Sequence, residues 1–163
     1  MAGVRAQLGD WYVVREQPGK ALPHYRQAWQ VAGAAADGEA LRQSLFGAPL
    51  LLEYQAPSNW NRNAQRPPDE VEIRHVELEL TVTAQGGVRE PHAVGGTDEQ
   101  RLVAQALRAV QTARYRPRLV AGEPAETTGL RFTQPFYVLR ETEPAKPADP
   151  PPPAAPDQAQ ESP

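Results

Sequence analysis

The sequence predicts an α+β fold, in which a helical hairpin precedes a small antiparallel sheet covered by one packed helix. Three observations carry this prediction. Apolar residues recur at three- and four-residue spacing over 1–46, apolar and polar residues alternate over 76–83, and an apolar stripe of helical period runs through 102–113. We expect the order strand, strand, helix, strand within 70–140.

The bulk composition excludes several classes of protein. The chain has 163 residues, a formal net charge of -3 and no cysteine, so we expect no nucleic-acid partner, no disulfide framework and no cysteine-ligated metal. No stretch approaches the ~20 apolar residues of a membrane span, so no direct membrane insertion is expected. Charged residues interrupt the first 30 positions, which therefore lack the pattern of a signal peptide.

The first segment, residues 1–46, is predicted to be helical. The residues expected to pack this hairpin are Leu8, Gly9, Tyr12, Ala21, Tyr25 and Ala28. Their order and spacing resemble a tetratricopeptide repeat, in which small residues let two antiparallel helices approach and aromatic residues fill the space beside them. An ordinary helical hairpin is the alternative interpretation.

A single repeat cannot bury its own apolar face. Either the hairpin packs on the following domain, or further repeats precede it in a longer protein of which this chain is the C-terminal part. The second interpretation is favoured, because the motif begins almost at Met1.

A connector is predicted over residues 47–69, with a short strand at 50–54 followed by irregular chain rich in asparagine and proline. Trp60 lies among polar residues in this connector. Two roles are open for it: an exposed anchor for a partner, or a cover over the edge of a neighbouring core.

The main domain, residues 70–140, begins with the alternating strand around Val76 to Val82 and a turn at Gln85-Gly86-Gly87. A second strand follows at 88–94. Thr97 and Gln100 have the spacing of a capping box, with Thr97 as the N-cap of the helix that continues to Ala113. The chain is then extended around Pro117, turns near Gly122, and ends in a last strand over Thr127 to Leu139.

Several local signatures follow one another along the main domain: Gly87-Val88, the helix Val103 to Val110, Arg114-Tyr115-Arg116-Pro117, Ala121-Gly122-Glu123-Pro124-Ala125, and the aromatic residues Phe132, Phe136 and Tyr137. In this order they resemble the C-terminal domain of TonB-type proteins. The resemblance implies a protein or peptide partner, no cofactor, and the envelope of a Gram-negative bacterium. It implies the periplasm, although without a signal peptide the cytoplasm would be the default.

By this resemblance, a partner segment would be added as a strand to the edge of the last strand, Thr128 to Leu139. The expected contact residues are Thr128, Leu130, Phe132, Gln134, Phe136 and Val138. Pro135 has two interpretations: it either deprives a docked peptide of one hydrogen bond or protects the edge against unwanted pairing.

The function predicted from these features is a non-enzymatic interaction module. The alternative is a structural adaptor that forms a homodimer through the same sheet edge. The family's energy transducers begin with a membrane-spanning helix and a proline-rich spacer, which this sequence does not show, so energy transduction is not expected.

No catalytic motif or zinc-ligand spacing is present among the residues, and no metal is expected. His75, Glu77 and Glu79 share one strand face, where a solvated surface is favoured over a cation site. Arg114, Arg116 and Arg118 also share a face, and a solvated edge is favoured over an acidic partner. The segment 141–163 is proline-rich and is predicted to be disordered.

Overall fold

The computed structural model describes residues 1–140, so the predicted disordered tail, 141–163, lies outside the described residues. The elements in chain order are α1 (Ala2–Val14), α2 (Pro18–Gly33), α3 (Gly38–Phe46), β1 (Leu50–Glu53), β2 (Val71–Val82), β3 (Val88–Gly96), α4 (Gln100–Val110), β4 (Arg114–Arg116), β5 (Arg118–Val120), β6 (Glu123–Ala125) and β7 (Thr127–Leu139). The predicted α+β class is confirmed.

The main sheet has three antiparallel strands in the order β3-β2-β7, with β2 in the centre. The register of β2 with β7 is regular from the pair Val71 and Leu139 to the pair Leu80 and Leu130. The register of β2 with β3 is interrupted twice. Two further pairs, β1 with β4 and β5 with β6, extend beside the sheet.

The main core lies between this sheet and α4. The predicted alternation places Val76, Leu78 and Leu80 of β2 on the inner face, where each is at most 1% exposed. On α4 the predicted stripe supplies Leu102 and Ala106 to the same core, both of which are buried. The burial of these apolar side chains is the main source of stability for this half of the molecule.

The turn between β2 and β3 depends on Gly86. Its φ is +83°, and an added Cβ would lie 2.1 Å from the carbonyl oxygen of Tyr115. The Tyr115 N–H in turn donates to the Gly86 carbonyl at 2.8 Å. The turn predicted from the two glycines therefore also fixes the start of β4.

The predicted capping box is wrong, because α4 begins at Gln100 and its N-cap is Glu99, which makes no side-chain capping bond. Thr97 is held at the end of the sheet, since its N–H donates to the carbonyl of His75 at 2.7 Å. Its hydroxyl accepts from the Glu99 N–H at 3.3 Å instead of capping the helix.

A second core lies between the helical hairpin and the strands that flank the main sheet. Tyr25, Ala28 and Phe46 from the helices are buried there together with Leu119 of β5. Of the two interpretations for the apolar face of the hairpin, packing on the following domain is therefore the one observed.

The solvated edge predicted for the alternating arginines is wrong at Arg116, which is 6% exposed. Arg116 donates to both carboxylate oxygens of Asp10 on α1, at 2.8 and 2.5 Å. Arg114 is paired with Glu16, which follows the end of α1. The acidic groups that these arginines bind belong to the chain's own first helical segment.

Within residues 1–140, none of the helices combines the length and the apolar character required to cross a membrane.

Candidate partner-binding edge

The candidate site is the outer edge of β7, which ends the three-stranded sheet on one side. In an antiparallel pair, residues that direct both backbone groups toward the neighbouring strand alternate with residues that direct both away from it. Tyr137 directs both away. Its N–H donates to the Trp60 carbonyl at 2.8 Å, and its carbonyl accepts from Asn63 Nδ2 at 2.9 Å.

The regular register extends this alternation along β7, so that Pro135, Thr133 and Arg131 also direct their backbone groups outward. Pro135 has no N–H, and its carbonyl accepts from the side-chain amide of Gln134 at 2.6 Å. Gly129, with a φ of +70°, departs from strand geometry. Among residues 1–140, no partner bonds the outward groups of Arg131 and Thr133, which form the open part of the edge.

The side chains predicted to contact a partner alternate with these open backbone positions. Gln134 and Phe136 are buried, and Thr128 is exposed. Leu130, Phe132 and Val138 are half-buried against the main core. The side chains of Gln134 and Phe136 are buried in the core and cannot contact a partner. A docked strand at this edge would therefore form hydrogen bonds with the backbone and contact only the exposed parts of the remaining side chains.

Gln134 is held in place by Tyr54 on the inner face. The hydroxyl of Tyr54 donates to Gln134 Oε1, and the Tyr54 ring lies edge-on to Phe132 with a centroid separation of 4.9 Å. Burial, and to a smaller degree the neighbouring Tyr115, raises the pKa of Tyr54 to about 12. The hydroxyl therefore remains protonated and able to donate to Gln134 even at pH 10, the ordinary tyrosine pKa, which stabilises β7 beside its open positions.

Trp60 closes one end of the edge. Besides its carbonyl bond to Tyr137, its ring packs edge-on against the Tyr137 ring at 6.1 Å between centroids and contacts the main core. Of the two roles predicted for Trp60, the cover over the edge of a neighbouring core is the one observed. We call residues 57–66, which cross β7 at Tyr137, the strap.

Four of the six residues predicted to pack the hairpin are buried: Gly9, Ala21, Tyr25 and Ala28. An added Cβ at Gly9 would lie 2.4 Å from the Tyr25 ring, so the close approach of α1 and α2 requires a glycine there. Tyr12 is half-buried and stacks on His24. Leu8 is 44% exposed and, with Val4 and Trp11, lies on the outer side of α1.

The outer face of the sheet carries the polar residues of β2. Arg131 Nη2 lies 3.2 Å from Glu79 Oε2, and His92 Nε2 lies 3.9 Å from the other oxygen of this carboxylate. In the part of the chain that the structure describes, no group of three or more His, Asp or Glu side chains is placed to hold a metal ion.

Sequence reasoning missed the strap, because no pattern along the chain shows that residues 57–66 cross a strand that follows them by some 70 positions. The local density of asparagine was the one available signal. Asparagine side chains readily bond to backbone groups, as Asn63 does to the carbonyl of Tyr137.

Residues 75–136 match the family model described as Gram-negative bacterial TonB protein C-terminal. The matched range runs from β2 through α4 into β7 and so contains the open part of the edge. This family belongs to the cell envelope and is in general not enzymatic. No family model supports the tetratricopeptide resemblance of the hairpin. No curated protein matches the chain.

Proposed function

We propose that the chain is a non-enzymatic interaction module of the bacterial cell envelope that binds an extended segment of a partner protein as an added strand on β7. The observation that carries the proposal is the pair of adjacent open positions, Arg131 and Thr133, beside the part of the edge that Pro135 and the strap close. The family match over residues 75–136 supports an envelope protein-interaction role. The periplasm is the compartment in which we expect this binding.

A docked segment would find four backbone groups, the N–H and C=O of Arg131 and of Thr133. Main-chain bonds of this kind provide affinity in strand addition, and side chains at alternate positions provide selectivity. On the inner side, a docked side chain would contact Phe132, whose ring is half-buried against Tyr54. The bound segment is therefore expected to be short and to contain an apolar residue.

Pro135 fits this proposal in a specific way. Its outward nitrogen has no hydrogen and its carbonyl is already bonded by Gln134, so pairing ends there. The proline thus both removes one bond from a docked peptide and limits longer edge-to-edge association. Both interpretations of Pro135, the lost hydrogen bond and the protected edge, therefore follow from the same backbone geometry.

The experiment is a selection of short peptides from a displayed random library against the full chain, followed by measurement of their affinity for two variants. Thr133→Pro removes an outward N–H that β2 does not use, whereas Thr133→Ala keeps it. We expect the affinity of selected peptides to fall by about tenfold or more for Thr133→Pro, the effect of losing one or two hydrogen bonds in a dry contact, and to change little for Thr133→Ala.

Thermal unfolding of both variants controls for damage to the sheet. The proposal fails if folded Thr133→Pro binds the selected peptides as well as the parent chain does.

A third variant, Trp11→Gln, tests the exposed side of α1, since repeat helices are a second surface through which partners could bind. Loss of binding in Trp11→Gln alone would assign the interaction to the helices.

Self-association of the chain through the same edge stays a prediction, and a different measurement tests it. The molecular mass in solution, measured by light scattering over a range of concentrations, distinguishes a homodimer from a monomer that binds other proteins. Thr133→Pro is the suitable variant for this test. A charge at Phe136 is unsuitable, because this ring is 1% exposed and its replacement would disrupt the core.

A further inference from the structure

A cleft of about 430 Å³ lies between the strap and the start of α4, over the end of β7. The strap contributes Asn59, Arg62 and Asn63 to its walls, and β2 contributes Arg74. Glu99 and Arg101, at the start of α4, complete the polar lining. The six residues come from three separate parts of the chain, so the fold alone brings them together.

The cleft has an excess of positive charge. Glu99 is the one acidic residue that lines it, and its two oxygens are shared between Arg74 Nη1 at 3.0 Å and Arg101 Nη2 at 2.9 Å. Arg62 makes no ion pair with any residue in 1–140. Three guanidinium groups are thus balanced by two carboxylates, Glu99 and Glu72, the second of which binds Arg74 alone. The start of α4 adds the partial positive charge of a helix N-terminus.

Arg74 is the least exposed of the three arginines. Besides Glu99 it contacts Glu72 Oε1 at 3.4 Å, and its side chain is 29% exposed, against 63% for Arg101. A guanidinium that is already oriented loses little further conformational entropy when a ligand binds. Each of its three nitrogens already donates to Glu72 or Glu99, so the second N–H of Nη1 and of Nη2 are the groups left for an oxygen anion in the cleft.

The lining also includes apolar groups. Val138 and the exposed Leu139 contribute to the walls beside the arginines, whereas Leu102 and Phe136 lie below them and are each 1% exposed. A ligand that combines methylene groups with a carboxylate, as a glutamate or aspartate side chain does, matches this lining better than a fully hydrated inorganic anion. The paired N–H groups of a guanidinium match the two oxygens of a carboxylate.

We propose that this cleft binds an acidic side chain of a peptide segment, through Arg62, Arg74 and Arg101. The choice of a peptide as the ligand rests on the proposed function, but the cleft is a separate site from the open edge at Arg131 and Thr133. The carboxylate would share the guanidinium groups with Glu99. The side chains of Asn59 and Asn63 would add uncharged hydrogen bonds.

The test uses the full chain and two synthetic probes, acetyl-Gly-Glu-Gly-Glu-Gly-amide and the same peptide with glutamine in place of glutamate. Binding is followed by isothermal calorimetry and by the arginine Nε–H signals in NMR spectra. We expect the glutamate probe to bind and to shift the signals of Arg62, Arg74 and Arg101, while the glutamine probe does neither. Inorganic phosphate at the same concentration is expected to bind more weakly than the glutamate probe.

Three variants locate the binding. Arg62→Gln should weaken the glutamate probe about tenfold, the loss of one charge-assisted hydrogen bond. Glu99→Gln should strengthen binding severalfold, because it removes the carboxylate that Arg74 and Arg101 share, while Glu72 still orients Arg74. Arg89→Gln, an exposed arginine of β3 that lies outside the cleft, is the matched control and should leave the affinity unchanged.

The proposal is overturned if the glutamine probe binds equally, if phosphate binds more tightly, or if neither Arg62→Gln nor Glu99→Gln alters the affinity. The gain expected for Glu99→Gln cannot arise from misfolding, so a destabilised arginine variant does not decide the outcome. Thr133→Pro should leave the glutamate probe unaffected. Failure at the cleft and failure at the β7 edge are therefore separate results.

Discussion

Asp10 and Arg116 form a buried ion pair that joins the first helix to the sheet domain, with the two donor nitrogens of Arg116 at 2.8 and 2.5 Å from the two carboxylate oxygens. Tyr25 donates a third hydrogen bond to Asp10 at 3.0 Å, and Arg116 also donates to the carbonyl of Leu45 at 3.0 Å. Burial alone would lower the pKa of Arg116, but the hydrogen bonds and charge of Asp10 outweigh it and raise this pKa.

Removal of one partner of this pair should destabilise the whole folded chain. Asp10→Ala leaves the Arg116 guanidinium buried without its counter-charge, and we expect a loss of about 3–5 kcal/mol in the free energy of unfolding. Urea denaturation followed by circular dichroism measures it. The double variant Asp10→Ala/Arg116→Met should be more stable than Asp10→Ala alone, because no uncompensated charge remains.

Glu123→Gln is the matched control for the ion pair, since it breaks the exposed Arg26–Glu123 contact on the same interface. It should change the stability little, because solvent screens exposed pairs. Equal effects of Asp10→Ala and Glu123→Gln would show that burial of the pair is not the reason for its contribution.

A second prediction concerns the close approach of α1 and α2. Gly9→Ala places a methyl group 2.4 Å from the Tyr25 ring and should cost about 1–3 kcal/mol, the usual effect of overpacking a core. Gly3→Ala on the same helix meets nothing within 4 Å and should instead stabilise the chain by up to about 1 kcal/mol. Thermal unfolding of the two variants checks the direction of both changes in stability. A Gly9→Ala variant as stable as the parent chain would contradict the observed packing.

A third prediction concerns hydrogen exchange along β7. In the unliganded chain the amides of Arg131 and Thr133 should exchange fast, whereas that of Tyr137 should exchange at least about tenfold more slowly, because it donates to Trp60. Residue-resolved NMR exchange measures these rates. Phe132, which directs its N–H at β2, is the internal reference for a protected amide. Equal protection of Thr133 and Phe132 would rule out the open edge.

A fourth prediction concerns alkaline pH. Burial raises the pKa of Tyr25, Tyr54 and Tyr115, with Asp10 adding to the effect at Tyr25. Above pH 10 the unfolded chain releases these phenolic protons and the folded chain retains them, so stability should be constant below pH 10 and fall as the pH rises beyond it. Urea denaturation between pH 8 and 11, values that span the ordinary tyrosine pKa of about 10, measures this change.

The raised pKa of Tyr54, about 12, can be checked with Tyr54→Phe. In a pH titration followed by absorbance at the tyrosinate band, the variant should lose one of the transitions that the parent chain shows above pH 10. If the transition persists without Tyr54, the hydroxyl that bonds Gln134 does not have the raised pKa.

Local chemistry determined the elements of this protein. The alternation at Val76, Leu78 and Leu80 specifies which face of β2 is buried, and the glycines near 86 specify the turn that follows, because both depend on residues close together in the chain. The same holds for the small residues of the hairpin. The capping box predicted at Thr97 does not form, because a hydrogen bond from its N–H to the carbonyl of His75, 22 positions away, holds Thr97 at the end of the sheet.

Tertiary structure alone decided which surfaces remain open. Arg116 was expected on a solvated edge and is buried against Asp10, 106 positions away, while Trp60 and Asn63 close one end of the β7 edge. The arginines of the cleft are likewise brought together from three distant segments. A sequence pattern reports the residues near each position along the chain, whereas exposure depends on which distant segments cover it in the folded state.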